Sequence, residues 1–431
     1  MRNWCSSDQS IREKDGTMRI KLNLLKTISM KTLSIVLLSA FFAIVSATTL
    51  SAQTDGIYNI VSFGAKGDGV TDCSPAIQKT LDAIMENGGG QLFIPQGKFL
   101  MKSQVGIENT ELIFLSIKGL GLGVSVIHCD NPDGAFKLHY RNNRSQITIK
   151  DISLFAMREG AGIAFDMLAA RQGNTHHRCL TMENVEMRGM NIKTDYFNTG
   201  VKAYGIWRPV FYSVVFAGPF GPGVSRDLTD ESMLFKADVA FDVCESYAPR
   251  FQDCYAWSAK TGYKLVTDMA PGAEDGTLLH SYAVHCRIGV DVYTKGVEPQ
   301  LLIDGGHYNC RDYGIRIKGR KFVSIINCLM YNEDLVNNNE YVDIYLEGCH
   351  NVIISANIFH FKGSNKRTNV LVKKGAYEID IKNNRFNAHA NPVTVEKGTR
   401  KITVTGNGFA DYVTDKLRDY TNGQVITDIE K

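Results

Sequence analysis

The sequence predicts an all-β solenoid, a stack of short parallel strands with one rung of sheet per coil, and three observations carry that expectation. Five pieces between Phe241 and Leu346 share one pattern: Phe241-Asp242-Val243, Tyr263-Lys264-Leu265, Val290-Asp291-Val292, Ile315-Arg316-Ile317 and Val342-Asp343-Ile344. Each sets a charged residue between two apolar ones, the period-2 signature of a strand with one buried face. Their centres fall 22 to 27 residues apart, the length of one solenoid coil. Glycine outnumbers proline 39 to 10 in a chain that is 44% apolar, which suits many tight corners around a large core. Stacked as rungs, the charges form an outward column of Asp242, Lys264, Asp291, Arg316 and Asp343. Each then meets an opposite charge roughly 4.8 Å away. A second column is expected beside it at Tyr293, Lys318, Tyr345 and Lys373.

In chain order, residues 1–52 read as a leader. Met30-Lys31, an apolar run from Leu33 to Val45 and the small-residue end Leu50-Ser51-Ala52 make a secretory signal cut between Ala52 and Gln53. The run is too short for a confident membrane span, so no stable membrane insertion is expected after cleavage. The first 29 residues resemble no targeting segment, which places the true start at Met30 or Met18. The leader holds seven basic and three acidic residues; subtracting them from 48 and 45 leaves 41 and 42. A nearly neutral mature chain points away from nucleic acid and anionic membranes. Residues 53–431 are expected to form a single domain, with 53–100 as its capping segment. Of the ten cysteines, five (Cys254, Cys286, Cys310, Cys328 and Cys349) recur roughly once per coil, and no pair has zinc-site spacing. They are read as small side chains lining the solenoid.

The mature chain opens with Val61-Ser62-Phe63-Gly64-Ala65-Lys66-Gly67-Asp68-Gly69-Val70-Thr71-Asp72. A helix pattern follows from Pro75 to Met85, with Ser74 as its cap and Asn87-Gly88 as its stop. Gln91-Leu92-Phe93-Ile94-Pro95 then reads as a strand before a turn at Gln96-Gly97. This run resembles the amino-terminal signature of the pectate-lyase-like superfamily. The resemblance implies a single-stranded right-handed parallel β-helix and a polysaccharide-active protein working on an acidic, pectin-like glycan. It says little about activity, because the family places its chemistry elsewhere. Asp68 and Asp72 are read as fixing the turn and the helix start.

Beyond the signature, Asn327, Asn357, Asn384 and Asn407 recur 23 to 30 residues apart. They are expected at left-handed corners, bonding neighbours in adjacent coils. Ten to twelve coils are expected. Residues 166–178, 216–236 and 268–276 break the rhythm and are expected to project as loops.

The candidate catalytic residues are Asp242, Lys264, Asp291, Arg316 and Lys318. Carboxylates two rungs apart, such as Asp242 and Asp291, would stand about 9.6 Å apart, a separation suited to an inverting hydrolase. Alternatively, the bases would stabilise the enolate of a uronate lyase. Tyr293, Tyr345, Trp257 and Trp207 are candidate sugar-stacking residues, and His285 is read as a hydrogen-bonded corner residue. The polygalacturonase set is incomplete: Arg316-Ile317-Lys318 fits, whereas Gly305-Gly306-His307 has the wrong order and Lys264 replaces a paired aspartate. No metal or cofactor is expected, save that Asp227, Asp230 and Glu231 form a calcium-like cluster. Adjacent His176 and His177 with Asp166 are a poor metal set. The alternative class is a non-catalytic glycan-binding solenoid.

Overall fold

Alternation between buried and outward residues drives almost every described segment into strand. The computed structural model describes residues 53–54, 56–171, 177–220, 235–268, 274–332, 341–361, 367–388 and 390–430. The expected signal segment, most of the expected loop residues and the Asp227–Asp230–Glu231 cluster lie outside these residues. Asp55–Lys431 forms one compact unit.

The unit is a right-handed parallel β-helix with three sheets. Sheet 1 stacks Val105–Thr110, Gly134–Asn142, Ile163–Arg171, Thr199–Tyr204, Ala237–Asp242 and Ala259–Thr267. It continues to Val342–Glu347, Arg367–Val372, Ala390–Val395 and Leu417–Asp419. Sheet 2 runs from Ile57–Asn59 to Val425–Thr427, and sheet 3 from Asp68–Asp72, through Gly97–Met101, to Gly408–Phe409. The long β run Tyr282–Asn332 supplies rungs to all three. Inward side chains stack like on like. Phe136 lies over Phe165 (ring centroids 5.5 Å apart), Phe241 over Tyr263 (5.0 Å) and Phe359 over Phe386 (4.6 Å). Rung spacing thus sets ring spacing, and each ring covers the next from water.

The first coil would expose a sheet edge. The helix α1, Ser74–Glu86, covers it, burying Ala76, Ile77, Thr80, Leu81 and Ile84. Its Gln78 amide donates to the Gly106 carbonyl and accepts the Gly106 N–H, both at 2.9 Å, standing in for a neighbouring strand. The expected helix is present, one residue longer at each end. Its start differs in detail. Ser74 is the first helical residue, and the Asp72 carboxylate accepts both the Ser74 N–H and its hydroxyl. Asp68 accepts from Val70 N–H and from the Thr71 N–H and hydroxyl, so both aspartates hold the turn and helix start as expected.

The sheet 2–sheet 3 corner is a tight turn with one left-handed residue per coil. Asp151, Asn184, Ser213, Asp253, His280, Asn327, Ala356 and Asn383 occupy it, with φ between 42° and 59°. Only Asn327 of the four expected corner asparagines is left-handed. Asn357, Asn384 and Asn407 stand one position later and turn inward. There Asn384 Oδ1 accepts from the Asn357 N–H and side chain, and Asn384 donates to Asn407 and to the Ile354 carbonyl. The reason is geometric: the left-handed residue points out, so an amide that bonds along the stack must follow it. In earlier coils Cys254 and Cys328 fill that inward position. All nine described cysteines are free, and all except Cys244 are buried, as liners of the core.

Candidate active groove

Sheet 1 carries a longer charge ladder than its sequence pattern suggests. Register pairs Lys137 with Asp166, Asp166 with Lys202, Lys202 with Asp242, Asp242 with Lys264 and Lys264 with Asp291. Arg316 then grips Asp291 with both arms, Nε to Oδ1 at 2.8 Å and Nη2 to Oδ2 at 2.6 Å. That hydrogen bond raises the Arg316 pKa above its usual value. Lys264 donates to Asp242 Oδ2 at 3.1 Å, and the Cys244 thiol takes Oδ1 at 2.8 Å. Burial works to lower the Lys264 pKa, but Asp242 offsets this and leaves it raised. Four of the expected charges therefore align.

The fifth does not. Register sets Tyr345, not Asp343, level with Arg316. Asp343 stands two residues earlier, buried, accepting from Asn369 Nδ2. Burial pushes its carboxyl up to about 6, against bonds from Asn369 and Tyr341. The triplet Val342-Asp343-Ile344 has the right pattern in the wrong register. A two-residue slip keeps side-chain parity, so alternation alone could not detect it. The second column shifts with it: Lys318 faces Glu347, at 3.2 Å, and Lys373 pairs with Glu396. The Tyr345 hydroxyl donates to Glu347, and burial with that bond raises its pKa.

The aromatic candidates scatter. Tyr293 and Tyr345 are on sheet 1, but Trp257 is on sheet 3. There its indole donates to His285 Nδ1 at 3.1 Å, and His285 takes a left-handed corner (φ 54°), as expected. Trp207 is at the sheet 1–sheet 2 corner, stacked on Tyr247. His307 is on sheet 3 beside Tyr331, far in topology from Arg316-Ile317-Lys318. Asp166 belongs to a strand, not to a projecting loop.

The amino-terminal half of the ladder holds the group that the sequence reading missed. His139 Nε2 stands 3.1 Å from Asp166 Oδ2, and Lys202 Nζ is 3.5 Å from Asp166 Oδ1. Lys137 shares the His139 strand and pairs with Glu108 at 2.7 Å. Tyr204 lies two rungs from His139, across Leu168. Burial, then Glu245, Cys244 and Asp268, raises its pKa, so it is a neutral phenol. Here a histidine and a carboxylate stand side by side among two lysines and a phenol, on one outward face. The signal was available: Phe136-Lys137-Leu138, Phe165-Asp166-Met167 and Val201-Lys202-Ala203 repeat the apolar–charged–apolar triplet. Longer coils, of 29, 36 and 40 residues between successive charges, hid the period.

The family described as "Rhamnogalacturonase A/epimerase, pectate lyase-like" matches residues 57–264, which contain this whole cluster. Over that stretch the chain is similar to a pectate-lyase-like family, in line with its opening signature. It is 30% identical to mannuronan C5-epimerase AlgE4 of Azotobacter vinelandii over 146 residues, 31% of this chain and 26% of that one. It is 41% identical to alginate lyase 7 of the same organism over 73 residues, 16% of this chain and 8% of that one. The chain thus spans about a quarter or less of those relatives. The solved A-module of mannuronan C5-epimerase AlgE6 from A. vinelandii shares the fold, with a TM-score of 0.56 at 19% identity. That match covers 87% of this chain and all of the module.

Proposed function

We propose that this protein is a secreted polyuronate-modifying enzyme that starts by removing the C5 proton of a uronate, as a lyase or an epimerase. The observation that carries the reading is the His139–Asp166 contact at 3.1 Å with Lys202 alongside. With Nε2 placed against Asp166, His139 offers Nδ1 as the base. Nδ1 takes the C5 proton, and the C5–H electron pair moves into the C6 carboxylate as an enediolate. The Lys137 and Lys202 ammoniums neutralise that developing charge. In a lyase the C4–O4 bond then breaks, C4=C5 forms, and the Tyr204 phenol protonates the leaving oxygen. In an epimerase Tyr204 instead returns a proton to C5 from the opposite ring face. The relatives named as mannuronan C5-epimerase and alginate lyase support this pairing of outcomes.

The carboxyl-terminal half of the ladder suits a groove floor better than a hydrolytic pair. Asp291 is occupied by the bidentate Arg316, and Asp242 by Lys264 and Cys244. The test uses residues 53–431 with polymannuronate, polyguluronate and polygalacturonate. Ultraviolet absorbance of unsaturated uronate, reducing ends and C5 configuration by NMR are followed together. Absorbance rising with reducing ends is a lyase, and inversion without new ends is an epimerase. New ends alone establish a hydrolase and return attention to Asp242 and Asp291. No change on any polymer leaves a glycan-binding solenoid.

A further inference from the structure

Away from the sheet 1 face, the sheet 1–sheet 2 corner holds a cavity of about 530 Å³, lined by Arg178, Trp207, Arg208, Tyr247, Arg250 and Asp275 among others. That volume is in the range of small-ligand sites. Trp207 and Tyr247 come from successive coils, joined by a backbone bridge, and their rings stack at 4.1 Å and 14°. The Tyr247 hydroxyl donates to Asp275 Oδ2 at 3.1 Å, fixing the ring. Arg250 is steadied by Gln252 Oε1 at 3.1 Å. Arg208 holds a left-handed backbone (φ 51°), the conformation that Ala248, Asp275 and Gln300 take in the next coils. The solenoid therefore sets that corner residue facing outward, and an arginine there costs backbone strain that glycine or asparagine would avoid.

We propose that this corner is a second binding site for uronate residues, separate from the groove on sheet 1. Three arginines converge on one cavity against Asp275 and its neighbour Glu274, leaving a net positive site. Planar guanidinium forks take carboxylates bidentately. A fixed pair of aromatic rings offers a flat apolar edge for a pyranose. A neutral sugar would use the rings alone, whereas a uronate also brings a carboxylate for a guanidinium fork to grip. The site is one corner away from the sheet 1 rungs of Lys202 and Asp242, so a long polymer bound there is held near the groove and raises its local concentration. The uronate class rests on the proposed function; the binding measurement below does not depend on turnover.

Trp257→Phe leaves Trp207 as the sole tryptophan of residues 53–431. Its fluorescence is titrated with trimannuronate, trigalacturonate and neutral cellotriose. Saturable change with the acidic trisaccharides and none with cellotriose is expected. Adding R178A, R208A and R250A should weaken that affinity about tenfold or more without lowering Tm. If the triple variant melts early, R178Q alone, at an exposed position, serves with an expected loss of about threefold or more. H139A should leave the titration unchanged. Equal response to cellotriose, no response at all, or arginine variants that retain full affinity would overturn the proposal. Turnover of polyuronate with a silent Trp207 removes the second site and leaves the proposed function standing. A response without turnover of any polymer supports the site and removes the proposed function.

Discussion

Asp343→Asn separates a buried structural carboxyl from a catalytic one. Asp343 is fully enclosed, accepts from Asn369, and has its carboxyl pushed from 3.8 up to about 6, chiefly by burial. A folded-state value above the unfolded one means that the fold favours the protonated form. The resulting stabilisation is fully present below about pH 4 and is lost as pH rises through about 6. At about 1.4 kcal/mol per tenfold change in proton affinity, the effect amounts to roughly 3 kcal/mol. Asparagine keeps the acceptor for Asn369 and cannot ionise. D343N should therefore be as stable as the parent near pH 4 and more stable near pH 7.5, by up to about 3 kcal/mol. Urea unfolding of both proteins from pH 4 to 8 measures the difference. An unchanged difference across that range, or a D343N variant less stable at pH 7.5, would refute the reasoning. Turnover should persist in D343N, since the side chain does not face the groove.

Three further outcomes follow from the same packing. Asn384→Ala removes an acceptor for two Asn357 donors and two donated bonds, three of the four buried and the one to Asn407 partly so. At roughly 1 kcal/mol or more for each unmet partner it should cost about 3 to 5 kcal/mol in urea unfolding; a loss below 1 kcal/mol would contradict the ladder. Arg316→Gln leaves the half-buried Asp291 without its bidentate partner and should cost about 1 to 3 kcal/mol. It should lower kcat by less than about threefold, because general catalysis by a removed group would cost about a hundredfold. Thiol titration of residues 53–431 at pH 8 should stay nearly silent in the native state and reach nine in denaturant. Burial, then Asp242, pushes even the Cys244 thiol up to about 12.

Much of the fold was legible because the solenoid repeats one local rule. Alternation placed Phe241, Tyr263, Val290 and Ile315 inward and their charged neighbours outward, and all four are buried. The capping helix announced itself through Ser74-Pro75 and its apolar stripe. What alternation cannot carry is register. A slip of two residues leaves the apolar–charged–apolar pattern intact, so the pattern could not tell buried Asp343 from Tyr345 as the residue level with Arg316. The inward asparagines were found as a repeat but placed one position early, because the residue that bends the corner is their predecessor. The His139 cluster was missed for a third reason: its rungs are joined by long coils, and a search for one period passes over them. Trp257 and Trp207 show the complementary limit. Proximity in sequence to a sheet 1 rung says nothing about which of three faces a residue occupies.

The most direct test of the account is deuterium exchange at C5. Residues 53–431 and the H139A variant are incubated with polymannuronate, polyguluronate or polygalacturonate in D2O, and the products are read by NMR and by unsaturated-uronate absorbance. The account predicts that the parent yields C5 deuterium or C4=C5 ends on one of these polymers, and that H139A lowers that rate about a hundredfold or more with unchanged Tm. Chain cleavage with neither C5 deuterium nor unsaturated ends, or an H139A variant at the parent's rate, would contradict it.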